Sequence, residues 1–381
     1  MPGTPIGTLS DAEPTRPQCR FLWTRGRVGK RPSLKRILVV RPDRIGDVLL
    51  STPVIDALRK ACPSAFMMAL VAPHSEEIVD RNPFLNGFLI LDKKGRHQGA
   101  RGMIRLVREL KSHRFDTAIV LHGTKRVHLA LALAAIPRRI GYDRKWGFLL
   151  TKRLKDVKVY GERHEAEYSL DLLRALGIPA EGGRVTMPTT HESDLRMERF
   201  LREEGVSEKD LLIAIHPGAS SISKRWMSDR FAQLADRLQN EHYKVVMVSG
   251  PEDVATGEAV IRAMKRPPLD ACGKTTIREL ASLFKRTQLL ISNDSGPVHV
   301  AVGVGTPVIS IFGRSQPGLS QKRWRPLGEQ DIVLQKDVGC AVCLADDCQI
   351  NFECLRALSV EEVLKAAHQI LSNHETSRAS T

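Results

Sequence analysis

Ser292-Asn293-Asp294-Ser295-Gly296-Pro297-Val298-His299 is the stretch that decides the fold. An apolar run, Gln288-Leu289-Leu290-Ile291, precedes it, and a small-residue helix pattern, Val300-Ala301-Val302-Gly303, follows. A second β-rich run, Pro307-Val308-Ile309-Ser310-Ile311-Phe312-Gly313, comes next. The order is strand, Ser/Gly turn, helix, strand. Such a turn aims backbone N–H groups and a helix N-terminus at one point, which suits a phosphate. Asp294 would orient the loop, Ser295 would add a hydroxyl donor, and His299 would face the same mouth one turn into the helix. An Asp/Ser helix cap beside a satisfied histidine is the competing local reading.

Outward from that turn, strand-like and helical patterns alternate in two series. The first opens on Arg36-Ile37-Leu38-Val39-Val40-Arg41 and the turn Pro42-Asp43-Arg44-Ile45-Gly46-Asp47. A helix begins near Asp47, with Pro53 inside it as a possible kink. Strand-like runs recur at Phe66–Ala72, Gly87–Leu91 and Asp116–Leu121, and helical patterns at His74–Arg81, Ala100–His113, Lys125–Ala135 and Glu162–Leu176. The second series holds a strand at Leu211–Ile215, a Gly/Ser-rich loop at His216–Lys224, a helix at Met227–Asn240 and a strand at Tyr243–Ser249. The turn Gly250-Pro251-Glu252-Asp253, a helix at Thr276–Lys285 and a final helix at Val360–Ser372 complete it. The reading is α/β: two Rossmann-like, mostly parallel sheets facing a central cleft. The expected division is a basic mobile arm over 1–34, a first domain over 35–180, a linker over 181–191, a second domain over 192–372 and a tail over 373–381. Neither first strand leads into GxGxxG, so a nicotinamide or flavin fingerprint is missing.

The chain has 381 residues, 42% of them hydrophobic and 27% charged, a soluble globular composition too long for one core. No apolar run approaches the ~20 residues that span a bilayer. The arm carries Arg16, Arg20, Arg25 and Arg27 around the short apolar stretch Phe21-Leu22-Trp23, which is no secretory signal. Net charge is +15. Nucleic acid, an anionic membrane surface or an acidic substrate would each account for it. Aromatic content of 5% and the lack of any stacking motif make nucleic acid the weakest of the three. Much of the charge falls in the first half, at Arg96, Arg101, Arg105, Arg108, Lys111, Arg114, Lys125, Arg126, Arg138, Arg139, Arg144, Lys145, Lys152 and Arg153. Four of the seven cysteines cluster as Cys340, Cys343, Cys348 and Cys354. A structural zinc site, reduced thiols and labile disulfides all remain open for them.

Ligands of open α/β sheets sit beyond the C-terminal strand ends. Three loops of the second domain emerge there: His216 to Trp226, Ser249 to Asp253, and the Asp294-Ser295-Gly296 turn. Together they supply hydroxyls, a flexible glycine turn, cations and a helix N-terminus, an inventory for a nucleotide diphosphate. The Arg41 to Asp47 loop of the first domain faces the same cleft and brings a carboxylate.

These residues resemble the ADP-heptose:lipopolysaccharide heptosyltransferases, a GT-B glycosyltransferase family, over roughly residues 35–372. The resemblance lies in Arg44-Ile45-Gly46-Asp47-Val48-Leu49-Leu50-Ser51-Thr52-Pro53, in His216-Pro217-Gly218-Ala219 with Lys224-Arg225-Trp226, and in Asn293 to His299 with Gly303-x-x-Thr306-Pro307 after it. The four-cysteine segment also recurs in many members. The resemblance implies an inverting transfer of L-glycero-D-manno-heptose from ADP-heptose to the Kdo/heptose inner core of lipopolysaccharide. Asp47 corresponds to the family's candidate general base, with a helix cap as its alternative. The donor would be held by Ser220, Ser221, Lys224, Glu252, Asp294, Ser295, Gly296 and His299, Ser220 and Ser221 aligning only loosely. Trp226 reads as core, and Glu252 or Asp253 would contact the ribose or adenine or cap the next helix. No DxD metal motif accompanies either turn, so no cofactor or catalytic metal is expected. Lys224, the Ser295 and Gly296 amides, the helix dipole and His299 would stabilise the leaving diphosphate instead. Arg41, Arg44 and Gly46 would meet an anionic acceptor at the cytoplasmic leaflet of the inner membrane, where a peripheral, cytoplasmic, monomeric enzyme is expected. Competing readings are a relative with another donor or acceptor, a GT-B nucleotide-sugar epimerase needing extra carboxylates and a histidine in the cleft, and an inactive nucleotide-sugar-binding or nucleic-acid-binding protein.

Overall fold

Runs such as Ile37-Leu38-Val39-Val40 and Leu289-Leu290-Ile291 are apolar on both faces, as strands buried between two helical layers must be. The structure, a computed structural model, describes residues 34–379, with side chains over 34–372. The expected basic arm therefore lies outside the described residues, apart from Leu34. The first sheet holds β1 (Arg36–Arg41), β2 (Phe66–Val71), β3 (Gly87–Ile90), β4 (Thr117–Val120), β5 (Arg138–Asp143) and β6 (Lys152–Lys155). Their order is β3-β2-β1-β4-β5-β6, with every pairing parallel. The second sheet holds β7 (Leu212–His216), β8 (Lys244–Ser249), β9 (Leu269–Cys272), β10 (Leu289–Asn293), β11 (Val308–Phe312) and β12 (Ile332–Gln335). Its order, β12-β11-β10-β7-β8-β9, repeats the same winding, again all parallel.

Strand order reverses between β1 and β4 in one sheet and between β7 and β10 in the other. Crevices open at such switch points, beyond the carboxyl ends of the strands. Arg41 ends β1, His216 ends β7 and Asn293 ends β10, so the motifs read from the sequence leave their sheets at these two crevices.

The structure departs from the sequence expectation in several places. The helix expected from Asp47 is two helices, Ile45–Leu49 and Thr52–Ala61, and Pro53 lies in the first turn of the second. There its missing N–H costs no bond, so it starts a helix and does not kink one. Strands β5, β6, β9 and β12, and the helix His191–Glu203, add to the expected elements. The last helix spans Val360–Ala379 and so runs through most of the expected tail. The linker stretch is tied to both domains: Thr186 N donates to Thr52 Oγ1 at 3.0 Å, and Met187 N to Gly303 O at 3.0 Å. Trp226 is core, as expected: it is 2% exposed, donates Nε1–H to Leu358 O at 3.1 Å and meets Phe231 edge-on at 4.9 Å. Burying such a ring pair adds about 0.5–1.5 kcal/mol beyond area alone.

Candidate active site where the two sheets meet

The Asp294-Ser295-Gly296 turn, expected to hold the donor, is built from β10. Asn293 is fully buried; its Oδ1 accepts from Trp226 N at 3.0 Å and its Nδ2 donates to Pro217 O at 2.7 Å, fixing the loop after β7 against the end of β10. Lys224 stands on that loop. Its Nζ lies 2.5 Å from Asp294 Oδ2 as an ion pair and donates to Asp294 O at 3.3 Å. Two residues expected at the donor are thus brought together, with the cation held at the turn. Ser295 caps the helix Gly296–Val304, but its hydroxyl faces inward, to His216 Nδ1 and Asn293 O, each at 3.1 Å. What the turn presents is the helix N-terminus, whose first N–H groups have no intrahelical acceptor.

His299 is 4% exposed, and burial pushes its pKa down to about 3. It is therefore neutral at physiological pH. It offers a hydrogen-bonding nitrogen and no positive charge, and its Nδ1 is buried without a partner. His216 is likewise held near 4 by burial.

The remaining donor candidates are placed unevenly. Ser220 and Glu252 are exposed at the loop surfaces. Asp253, not Glu252, pairs with Arg225, at 3.0 Å, and lies directly beneath Gly218. Ser221 is drawn into a network the sequence did not suggest: its hydroxyl meets Asp346 and Arg314, and Ser223 Oγ donates to Asp346 at 2.7 Å. Asp346 belongs to the cysteine segment, which thereby packs on the loop after β7. The four cysteines of that segment are free thiols. Among the described residues no group of three or more His, Cys, Asp or Glu side chains is assembled to hold a metal ion, so the zinc alternative finds no formed site.

Across the cleft, Asp47 sits in the first turn of Ile45–Leu49 and makes no helix-capping bond. Its carboxylate, 15% exposed, meets Arg41 Nη2 at 2.5 Å. Arg41 also reaches Glu165 Oε1 at 3.0 Å, Leu121 O at 3.4 Å and Asp43 Oδ1 at 3.0 Å, the last an ion pair without hydrogen-bond alignment. Arg41 is 3% exposed. All faces of its guanidinium are engaged inside the protein, which corrects the expectation that it meets the acceptor; it holds carboxylates instead. Burial raises the Asp47 pKa, and the Asp43 and Glu165 charges add to this, while Arg41 opposes it. Asp43 faces the same burial, yet Arg41 and His122, whose Nδ1 lies 3.0 Å away, hold it below the ordinary range. A carboxylate raised in this way is a better proton acceptor.

Arg44 remains exposed at the mouth, and Gly46 abuts the donor turn: a methyl group there would stand 2.9 Å from His299 Cδ2 and 3.7 Å from Gly296 Cα. The short helix bearing Asp47 and the helix Gly296–Val304 pack against one another.

Beside Asp43 lies a cationic group of which Arg126 and Lys145 stand among the basic residues read from the sequence, while Lys93 does not. Lys93 Nζ donates to Pro42 O at 3.2 Å, and its pKa is lowered by burial and by Lys145 and Arg126, against the pull of Asp43. Lys93, Arg126 and Lys145 have no ion pair with any described carboxylate, whereas Arg96, Arg138, Arg144 and Arg153 each do. His128, 1% exposed, has both ring nitrogens buried without partners behind Gly123, where a Cβ would stand 2.3 Å from Nε2. The signal for this group was the winding: β4 ends beside β1, which brings His122-Gly123 to the crevice.

The family model described as "Glycosyltransferase family 9 (heptosyltransferase)" matches residues 103–352. Lipopolysaccharide heptosyltransferase 3 of Escherichia coli K12 is 29% identical over 335 residues, covering 86% of this chain and 95% of the relative. A solved family 9 glycosyl transferase from Veillonella parvula is 29% identical with a TM-score of 0.81, over 89% of this chain and 98% of its own. The structure of the E. coli ADP-heptose LPS heptosyltransferase II, 22% identical, shares the fold at a TM-score of 0.74 over 89% of this chain and 99% of its own. The two-sheet arrangement is the GT-B fold.

Proposed function

The chain belongs to glycosyltransferase family 9, the heptosyltransferases, and from that premise we propose that it transfers L-glycero-D-manno-heptose from ADP-heptose to the Kdo/heptose inner core of lipopolysaccharide, with inversion and without a catalytic metal. The observation that carries this reading is the close approach of Gly46 to the turn at Asp294, where a methyl group on Gly46 would stand 2.9 Å from His299 Cδ2 and 3.7 Å from Gly296 Cα, so that the short helix bearing Asp47 packs on the N-terminal turn of the helix Gly296–Val304. An acceptor hydroxyl attacks the anomeric carbon from the Asp47 side. Asp47 accepts the proton late, as the new C–O bond forms and the bond to ADP breaks, help worth ~10²–10⁴-fold. Charge developing on the departing diphosphate meets Lys224, the first-turn amides at Gly296 and the helix dipole, with His299 as a neutral hydrogen-bonding neighbour. Lys224 exchanges its Asp294 contact for phosphate.

The acceptor is anionic through carboxylates and phosphates. Lys93, Arg126, Lys145 and exposed Arg44 suit it, being cations that form no ion pair among the described residues, although Asp43 acts on Lys93 from a distance. The extra carboxylates and histidine that an epimerase would need are present as Asp43, Glu165 and His122, but they are engaged within the protein: Asp43 and Glu165 pair with Arg41, and His122 Nδ1 lies 3.0 Å from Asp43. No described helix is long and apolar enough to cross a membrane. A cytoplasmic monomer touching the inner leaflet through its basic first domain fits a lipid-linked acceptor.

The test is a donor panel of ADP-heptose, ADP-mannose and UDP-sugars, scored for nucleotide release with and without a Kdo-lipid acceptor, in buffer and in EDTA. Acceptor-dependent ADP release from ADP-heptose alone, undiminished by EDTA, is the expected result. Preference for another donor would reassign the substrate, and metal-rescued loss in EDTA would reinstate a catalytic cation.

A further inference from the structure

Glu165 is the most heavily engaged buried carboxylate near the base, and its partners come from both domains. Its side chain is 1% exposed. Oε1 accepts from Arg41 Nη1 at 3.0 Å and Lys158 Nζ at 2.7 Å. Oε2 accepts from Arg323 Nε at 2.9 Å and Nη2 at 2.7 Å. Arg323 belongs to the short helix Gln321–Trp324, which lies between β11 and β12 of the second sheet, whereas Glu165 opens a helix that follows the first sheet. Its remaining Nη1 donates to Lys158 O at 3.1 Å and Gly318 O at 3.0 Å. The seam around it is tight. His164 Nε2 meets Arg325 O at 3.0 Å, and Gly161, at φ +60°, lies so close to Pro317 O that a Cβ would stand 1.6 Å away.

One guanidinium, Arg41, is therefore shared between Asp47 and Glu165, and Arg323 supplies the second oxygen of Glu165. We propose that Arg323 is a positioning residue that couples the seating of the second domain on the first to the proton affinity of Asp47, acting through Glu165 and Arg41. The reasoning is electrostatic. With Arg323 in place, Oε2 of Glu165 is satisfied from the second sheet and Arg41 is shared between Oε1 of Glu165 and Asp47. With Arg323 withdrawn, Oε2 loses its donors, Glu165 keeps only Lys158 and Arg41 and draws more on Arg41, and a less fully compensated negative charge faces Asp47; its proton is then held more tightly. Withdrawing the Glu165 charge does the opposite. The other groups facing Asp47 are Asp43 on the same loop, His122 and Lys93 through Asp43, His74, which meets Asp43 O at 2.7 Å, and the neutral His299 beyond Gly46. None of these contacts Arg323, so its substitution leaves their pairing unchanged.

This rests on Asp47 being the general base, and the experiment separates the two claims. The pH profile of kcat is measured for wild type, Asp47→Asn, Arg323→Gln, Glu165→Gln and Arg323→Lys, with melting curves and ADP calorimetry on each to confirm folding. An acid limb present in wild type and absent in Asp47→Asn identifies Asp47. At the pH where wild type runs at half its plateau, Arg323→Gln should run at about a fifth of its own plateau, Glu165→Gln should stand nearer its plateau, and Arg323→Lys should return toward wild type. Limbs that move together, or stay fixed, while Asp47→Asn lacks one, would overturn the coupling and leave the base in place. A limb that persists in Asp47→Asn would remove the base, and the coupling with it. If Arg323→Gln fails to fold, the comparison of Glu165→Gln with Arg323→Lys still decides, since the proposal requires the first limb to drop and the second to stay.

Discussion

Gly46 and His299 approach so closely between the two sheets that a methyl group on Gly46 would stand 2.9 Å from His299 Cδ2, inside van der Waals contact. Gly46→Ala must push the helix Ile45–Leu49 away from the helix Gly296–Val304 or displace the His299 ring. The overpacking costs about 1–3 kcal/mol, and a shift of that kind near the reacting centre lowers transfer by at least about tenfold. Steady-state kinetics with a melting curve check it. A variant as active as wild type would show that the two loops do not need this approach.

Lys224→Ala should weaken ADP binding and slow transfer together, because one cation serves both the bound nucleotide and the leaving charge. Its loss also leaves Asp294, a carboxylate, facing the phosphate unneutralised. Calorimetry with ADP reads the first effect. Unchanged ADP affinity would remove Lys224 from the donor site.

Neutralising Lys93 and Arg126 together should raise the acceptor KM several-fold and leave the donor constants nearly unchanged. Raising salt to physiological strength should mimic part of this, since the screening length shrinks to ~8 Å. Arg41→Gln behaves differently: it strips Asp43, Asp47 and Glu165 of a shared partner and lowers kcat and stability, not acceptor affinity alone. Acceptor kinetics unmoved by the Lys93/Arg126 double substitution would place the anionic groups elsewhere.

Glu165 makes stability fall in acid. Burial would raise its pKa, but Lys158, Arg41 and Arg323 hold it far below the ordinary carboxylate range. The stabilisation is present above the unfolded value of ~4.3 and is lost as pH falls toward the depressed folded value. Glu165→Gln should therefore melt earlier at neutral pH, with a shallower decline of Tm on acidification. Equal slopes for the two proteins would mean that Glu165 is not the group being titrated.

The sequence displayed the central strands and the turns that leave them, because buried parallel strands are written as unbroken apolar runs such as Ile37 to Val40 and Leu289 to Ile291. It concealed three of the four edge strands, β6, β9 and β12, and showed β3. β6, Lys152–Lys155, reads as a charged loop, since an edge strand guarded by lysines has no apolar signature. The local partners Lys224 and Asp294 were legible as members of one site because both lie in loops at strand ends. Glu165 was not: it opens a helix 124 residues after Arg41, and only the assembled fold brings the two side chains together. The burial of Arg41 was hidden for the same reason, since a strand-terminal arginine looks free until its three carboxylates are in place.

Asp47 carries the central claim, and Asp47→Asn with the natural acceptor tests it most directly. The substitution keeps the size of the side chain and its place beside Arg41, so ADP affinity and melting temperature should stay close to wild type, while kcat falls by ~10²-fold or more. Turnover within a few-fold of wild type, with folding and ADP binding intact, would contradict the assignment of Asp47 as the group that accepts the proton.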